Sequence, residues 1–228
     1  MESLRDQVVR FSFENQLTHV PSALSMIDYL HVLFSKEHIM PYRDNIVLGK
    51  PFGSQAYYIL WERLGYLNDV ASLSLGVKHD EIDFVTFSEE TMGNALGVGC
   101  GIAMGSNKKT WVNLSDASLQ MGSVLESIQY IGHNKINNMI VTIDNNNCQV
   151  TGKTSDIIDI TPVMNLFKDY NWDVSSIDGH DVNSIHSHMC QLSYDRPVCV
   201  FMNTVKGCGV DYMEADPIKW HYKPIGTL

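Results

Sequence analysis

The sequence lacks a long apolar run, an excess of positive charge and any closely spaced cysteine pair. No apolar run approaches the ~18 residues that a transmembrane helix needs, and residues 1–16 lack the apolar core of a signal peptide. The formal net charge of −10 argues against binding to nucleic acid or to an anionic membrane, since both attract basic surfaces. The five scattered cysteines argue against a disulfide framework or a zinc site and predict reduced thiols in the cytoplasm.

The composition is that of a globular protein. Hydrophobic residues make up 44% of the 228 residues and charged residues 18%, so the chain can bury a sizeable core without disulfides or metals. No internal repeat, low-complexity tract or linker divides the sequence. We therefore predict a single domain over residues 1–228.

Apolar periodicity predicts that strands alternate with helices. Such an alternation is typical of a parallel sheet covered on both faces, so the predicted fold is α/β, a doubly wound and mostly parallel sheet. Residues 76–90 are polar and irregular and are predicted to form a loop. The two histidines at 186 and 188 are predicted to be exposed on a helix. The predicted strands are 46–48, 110–114, 139–143, 173–177 and 198–205, and the predicted helices are 24–34, 54–64, 122–132, 162–170 and 182–192.

Polar side chains follow two of these strands. Asp116 comes two residues after the strand ending at Leu114, and Asn146 follows the strand ending at Ile143. The turns that follow parallel strands lie at the same edge of the sheet, where ligands bind. If the two strands are neighbours, Asp116 and Asn146 can therefore converge. Their oxygens suit Mg²⁺, and a helix starting after Asp116 would offer its N-terminus to a diphosphate. The alternative is that Asp116 and Asn146 lie in two ordinary surface turns, where Asp and Asn are common.

Several segments, in order along the chain, resemble motifs of the transketolase family. Residues 114–122 with 143–152 resemble the thiamine diphosphate signature, in which Gly-Asp-Gly is followed some thirty residues later by Asn. The other matching segments are 19–28, 47–54, 92–97, 178–181, 204–210 and 220–221, so the resemblance covers nearly the whole chain. It implies the thiamine-diphosphate-binding fold of the diphosphate-binding (PP) domain.

The resemblance also implies site residues and cofactors. Thiamine diphosphate and Mg²⁺ are the implied cofactors, with Asp116, Asn146 and the backbone carbonyl of Cys148 as metal ligands. His19 and His221 would line the diphosphate and the reacting carbons and act in catalysis. The remaining implied positions are Ala117, Met92 and Gly93 for binding the cofactor, and Glu126 for meeting the partner active site across a dimer interface.

This sequence departs from the family motifs at several of these positions. Ser115 and Ala117 replace both glycines of Gly-Asp-Gly, and Met121 replaces a second interfacial acid. Phe52 stands in place of a histidine that contacts substrate, and Glu90 in place of a glycine of the cofactor loop. These changes predict that the cofactor is kept while the substrate, a small sugar or keto compound, differs from the usual pentose phosphates.

The resemblance implies a split enzyme that is active only with a second polypeptide. The chain matches the N-terminal half of a transketolase, so the expected partner is a C-terminal, pyrimidine-binding subunit in an α₂β₂ assembly. Such an enzyme would transfer a two-carbon ketol or related acyl-anion unit. The glycines between 97 and 105 predict close helix packing at a subunit interface. Two alternatives stay open: the α-subunit of a 2-oxo acid dehydrogenase or decarboxylase, and a non-catalytic scaffold subunit.

Overall fold

A computed structural model describes residues 2–70, 72–73, 75–78 and 80–226. The helices are α1 Leu4–Glu14, α2 Val20–Ser35, α3 Ser54–Arg63, α4 Ala95–Met104, α5 Gly122–His133, α6 Thr154–Ile157, α7 Thr161–Asp169, α8 Val182–Gln191 and α9 Asp211–Ala215. The strands are β1 Asn45–Leu48, β2 Phe87–Ser88, β3 Thr110–Ser115, β4 Met139–Asn145, β5 Asp173–Asp178 and β6 Val198–Asn203. A short 3₁₀ helix, Asp116–Gln120, follows β3.

The strands form one parallel sheet in the order β2-β1-β3-β4-β6-β5. Each of its faces is covered by a separate apolar core, one beneath α1, α2, α3 and α8 and the other beneath α4, α5 and α7. The predicted α/β fold with helices on both faces is therefore confirmed. The central strands β3, β4 and β6 are buried almost throughout, which explains why they read as continuous apolar runs in the sequence.

Two helices illustrate how the local sequence determines their ends. Pro21 lies in the first turn of α2, where a residue without an N–H is tolerated. Asp181 caps α8, since its carboxylate accepts hydrogen bonds from the backbone N–H groups of Asn183 and Ser184 at 3.0 and 3.1 Å. Among the described residues, no helix is long and apolar enough to span a membrane.

Some sequence predictions were wrong. The segment predicted as a loop, 76–90, contains β2, a two-residue strand that pairs with β1 and is too short to show periodicity. A 3₁₀ turn that was not predicted lies between Asp116 and α5, whereas α5 itself begins at Gly122, as the sequence predicted. His186 and His188 are half-buried, because each makes a hydrogen-bond contact with a side chain of another segment.

Helix α4 contains the glycines predicted to allow close packing. Gly99 approaches the sheet so closely that an added Cβ would lie 2.8 Å from Cγ2 of Val112. An added Cβ at Gly101, in contrast, would meet no atom within 4 Å. The tight contact at Gly99 is thus between helix and sheet within this chain, and the predicted packing at a subunit interface stays a prediction.

Candidate active site

A cavity of about 540 Å³ opens beyond the carboxyl ends of β1, β3 and β4. This is the edge of a parallel sheet at which ligands bind. Of the residues predicted for the site, the cavity is lined by His19, Met92, Asp116, Ala117, Asn146, Cys148 and His221. Gly93 and Glu126 are not part of the lining. The structure thus brings together residues that are up to 202 positions apart in the sequence (221 − 19).

Asp116 is a buried carboxylate without a cationic partner among the described residues. It is 1% exposed, and it accepts hydrogen bonds from the Ala117 backbone N–H and the Thr154 hydroxyl, each at 2.8 Å. Burial raises the pKa of Asp116 to about 6, and the nearby charge of Asp144 adds to the shift. A carboxylate has about four acceptor positions, so two remain for a cation.

Asn146 and Cys148 are held next to Asp116 by the turn after β4. The side-chain oxygen of Asn146 accepts a hydrogen bond from the Cys148 backbone N–H at 2.9 Å, and its amide nitrogen donates to Asp144 at 2.8 Å. This network sets the direction of the Asn146 oxygen. The Cys148 carbonyl accepts a hydrogen bond from Lys206 Nζ at 3.1 Å and has a second lone pair left.

Lys206 is a buried cation in the same cavity, and sequence reasoning gave it no role. It is 3% exposed and forms no ion pair within the described part of the chain. Burial, together with the charge of Lys50, lowers the pKa of Lys206 to about 8. The sequence signal that could have identified Lys206 is its position three residues after the end of β6, at the edge of the sheet where the cavity lies. The side chain is therefore available to an anion.

Lys50 was also missed, and its environment differs from that of Lys206. It forms an ion pair with Asp144, which in turn accepts hydrogen bonds from Ser25 at 2.7 Å and from Thr204. Burial alone would raise the pKa of Asp144, but Lys50 and these hydrogen bonds hold that pKa below its ordinary value. Lys50 follows β1, Asp144 lies in β4 and Ser25 lies in α2, so these contacts hold the three elements together beneath the cavity.

His19 and His221 form an aromatic cluster with Phe52 and Tyr222 at one wall. The His19 ring stacks on Phe52 with 5.1 Å between ring centroids and lies 4.7 Å from the His221 ring. Burial lowers the pKa of His19 to about 4 and that of His221 to about 3, and Lys206 adds to both shifts. Both imidazoles are therefore neutral at neutral pH.

Hydrogen bonds fix the positions of these two histidines. The His19 backbone N–H donates to the His221 carbonyl at 2.9 Å, and His19 adopts a left-handed backbone conformation with φ of 60°. Lys206 Nζ lies 2.9 Å from Nδ1 of His221. An ammonium group can only donate, so Nδ1 accepts and the ring proton of His221 resides on Nε2.

The loop before α4 places Met92 in the cavity but keeps Gly93 out of it. The buried Glu89 carboxylate accepts hydrogen bonds from the backbone N–H groups of Gly93, Asn94 and Ala95, and so caps α4. The Gly93 carbonyl accepts a hydrogen bond from Ser123 at 2.6 Å. With φ of 116°, Gly93 has a conformation that requires glycine, so its observed role is to shape the loop. Glu126 lies on an exposed face of α5.

The chemistry of the cavity fits a divalent cation together with a diphosphate. Asp116, Asn146 and the Cys148 carbonyl are all oxygen donors, the kind that Mg²⁺ prefers. The amide nitrogen of Gln149, which also lines the cavity, is buried and has no hydrogen-bond partner in the described part of the chain. An anion beside Lys206 and Gln149 would satisfy both groups.

Comparison with known proteins gives a consistent result. Residues 100–227, more than half of the chain, match the family model described as transketolase, thiamine diphosphate binding domain. An apulose-4-phosphate transketolase subunit of Phocaeicola vulgatus is 26% identical over 97% of this chain and 86% of its own length. The same-named protein of Actinobacillus succinogenes is 27% identical over 90% of this chain and 82% of its own length.

Solved structures show the likeness in fold. Transketolase of Campylobacter jejuni superposes with a TM-score of 0.79 over 99% of this chain at 23% identity. Transketolase of Leishmania mexicana gives the same TM-score over 92% of the chain at 17% identity. The chain spans only 41% and 38% of these two proteins, respectively.

Proposed function

Because this chain belongs to the family of the transketolase thiamine diphosphate binding domain, we propose that it is the N-terminal subunit of a split, transketolase-like transferase. The observation that carries the proposal is the presence in one cavity of two buried, opposite charges, Asp116 and Lys206, neither of which forms an ion pair among the described residues. A buried charge without a partner is costly, so such a site is stabilised when a cation and an anion bind together. Magnesium diphosphate chemistry supplies both.

In this proposal the metal is Mg²⁺. Asp116, the Asn146 side-chain oxygen and the Cys148 carbonyl would hold it, together with oxygens of the diphosphate. Mg²⁺ is commonly bound through one or two carboxylates together with substrate phosphates. The raised pKa of Asp116, about 6, means that a proton competes with the metal in mildly acidic solution.

The diphosphate lies next to Lys206 and Gln149. Lys206 is close to His221 and the Cys148 carbonyl, so it is already oriented before the anion binds. When bound, thiamine diphosphate supplies the carbon nucleophile and electron sink needed to cleave a C–C bond next to a ketone. The neutral His19 and His221 donate hydrogen bonds to oxygens of the reacting molecule without adding positive charge.

The substrate class is a ketose or keto compound with an apolar group facing Phe52. Phe52 is 38% exposed at the cavity wall and stacks on His19, where a hydroxyl would find no hydrogen-bond partner on the phenyl ring. Leaving a hydroxyl unpaired costs about 1–3 kcal/mol. The two similar transketolase subunits carry apulose-4-phosphate in their names, and an unusual sugar phosphate of that kind is a suitable first substrate to test.

A second subunit closes the cavity in this proposal. Three apolar side chains at its rim are largely exposed: Met92 at 46%, Val150 at 42% and Tyr222 at 58%. A pyrimidine-binding subunit seated there would bury them, and a two-fold α₂β₂ arrangement would bring Glu126 near a second active site. The family match favours this transketolase-like assembly over a 2-oxo acid dehydrogenase. We propose a cytoplasmic location, because every cysteine is free.

The test is hydrogen–deuterium exchange at C2 of thiamine diphosphate, followed by NMR. The purified chain with Mg²⁺ and cofactor should exchange this proton no faster than free cofactor does. Addition of the pyrimidine-binding subunit should accelerate the exchange and allow ketol transfer. Exchange at a catalytic rate by the chain alone would contradict the split-enzyme proposal. Cofactor binding without accelerated exchange in the assembled protein would indicate a scaffold.

A further inference from the structure

Three metal-ligating side chains meet at the opposite edge of the sheet from the cavity. His38 lies in the turn that connects α2 to the start of β1, and His186 and Cys190 lie on α8, which precedes β6. The ligand atoms of these three residues all lie within 4.8 Å of one another. We call them the His-His-Cys cluster.

The geometry of this cluster is close to that of a tetrahedral metal site. His38 Nε2 lies 2.9 Å from His186 Nδ1, and Cys190 Sγ lies 3.9 Å from the same His186 nitrogen. Zinc–nitrogen bonds of about 2.0–2.1 Å and zinc–sulfur bonds of about 2.3 Å place tetrahedral ligands roughly 3.3–3.6 Å apart. A metal therefore requires the two imidazoles to separate by a few tenths of an ångström and the thiol to approach His186 by a similar amount, within a cluster whose ligand atoms all lie within 4.8 Å of one another.

The local backbone favours ligation. His186 and Cys190 are four residues apart on one helix, so they lie on the same face one turn apart. His38 and His186 are half-buried and their ring nitrogens already face each other, so little reorganisation of these two side chains is needed.

We propose that His38, His186 and Cys190 form a second metal site, which takes Zn²⁺ or a similar borderline cation with water as the fourth ligand. Imidazole and thiolate ligands select such ions, whereas the three ligands proposed for the metal in the cavity are all oxygens, which suit Mg²⁺. The site ties α8 to the turn before β1 and stabilises the edge of the domain away from the chemistry. His38 and His186 are 148 positions apart in the sequence, which explains why the spacing of the cysteines predicted no zinc site.

The test uses the full chain without a polyhistidine tag, stripped with chelator and kept in saturating Mg²⁺, to which Co²⁺ is added as a probe. The site predicts the visible absorption of tetrahedral Co²⁺ with a thiolate charge-transfer band, and displacement of Co²⁺ by Zn²⁺. Cys190→Ser should abolish the charge-transfer band, and His38→Asn or His186→Asn should weaken Co²⁺ binding at least ~10-fold, about 1.4 kcal/mol. His188→Asn, on the same helix but in contact with Ser175, is the matched control and should bind like the wild type.

A second measurement separates metal loss from unfolding. Zn²⁺ should raise the melting temperature of the wild type and of His188→Asn but not that of the three cluster variants, because a ligand that binds only the native state stabilises it. In the presence of chelator, Cys190→Ser should have the same melting temperature as the wild type, since Cys190 is exposed. Absence of the thiolate band in the wild type, or Co²⁺ binding that is unchanged in all three cluster variants, would overturn the proposal.

Discussion

Asp144 and Asp116 lie at the ends of the neighbouring strands β4 and β3, and both are almost completely buried, yet their surroundings differ. Asp144 has an ion pair with Lys50 and hydrogen bonds from Ser25, Asn146 and Thr204. Among the described residues, Asp116 accepts hydrogen bonds from two neutral donors, the Ala117 backbone N–H and the Thr154 hydroxyl. Accordingly, the pKa of Asp144 is held low by its partners, and that of Asp116 is raised by burial to about 6.

The difference separates a carboxylate whose partners lie within the protein from one that keeps acceptor positions free. The charge of Asp144 is balanced by Lys50 and stabilises the fold. In the proposed function, the free positions of Asp116 take a metal ion. The two lysines repeat the pattern, because Lys50 has an ion pair and Lys206 has none among the described residues. Perturbed titration combined with an incomplete set of partners is typical of functional sites.

The largest expected effect is on stability, from the change Asp144→Asn. This change leaves the Lys50 ammonium buried without its counter-ion, and breaking a buried pair costs about 3–5 kcal/mol. The free energy of unfolding, measured in urea, should fall by that amount, while Asp116→Asn should change it by less than ~1 kcal/mol, because no ion pair is lost. Equal losses in the two variants would remove the distinction between the carboxylates.

The second expected effect is on the pH dependence of the free energy of unfolding, through the neutral His19 near Lys206. The folded-state pKa of His19, about 4, lies below its unfolded value of 6.5, so the unfolded chain binds the proton more tightly. The stability associated with a neutral His19 is therefore present above pH ~6.5 and is lost as the pH falls toward ~4, by roughly 3 kcal/mol in all.

The variant His19→Asn checks this expectation. Unfolding in urea at about pH 7 and about pH 4.5 should show a smaller loss of stability in the variant than in the wild type, with His221 responsible for part of what remains. NMR titration of the His19 ring should give a midpoint near 4. A midpoint near 6.5 would mean that the ring is not buried beside Lys206.

A third prediction compares the effects of replacing Lys206 and Lys50 on stability and on diphosphate binding. Lys206→Met removes a buried cation that has no counter-ion among the described residues, so the free energy of unfolding should stay level or rise. Inorganic diphosphate should bind about 10–100-fold more weakly, because a charge-assisted hydrogen bond contributes roughly 1.5–3 kcal/mol. Lys50→Met is the matched variant and should lower stability, because it leaves Asp144 unpaired. Undiminished diphosphate binding to Lys206→Met would contradict the assigned role.

The sequence predicted the elements with strong periodicity and missed contacts between distant segments. Strands β3 and β4 read as apolar runs, so their order and the convergence of Asp116 and Asn146 at one cavity could be inferred from turn positions. The pairing of Lys50 with Asp144, 94 residues apart, has no local signal. Helix α1, which packs on α2 and α3, was missed because its sequence is polar on average and Val8 is its only fully buried apolar side chain among the described residues.

Two predicted site residues depend on molecules outside this chain. The cofactor contact of Gly93 was predicted because a motif resembled the family pattern, and it stays a prediction; the structure shows that its backbone N–H and carbonyl are bonded to Glu89 and Ser123. The role of Glu126 depends on a second polypeptide and stays a prediction. Lys206 lay within a matched segment, but only the folded cavity shows that it is buried and unpaired.

The most direct test of the account is calorimetric titration of thiamine diphosphate, in Mg²⁺, into the chain assembled with the proposed pyrimidine-binding subunit. Asp116→Asn should weaken binding at least ~100-fold, about 2.7 kcal/mol, while the free energy of unfolding stays within ~1 kcal/mol of the wild type. The control Asp156→Asn removes a carboxylate from the exposed helix α6 and should bind like the wild type. Undiminished, Mg²⁺-dependent binding to Asp116→Asn would contradict the claim that this unpaired carboxylate holds the cofactor's metal.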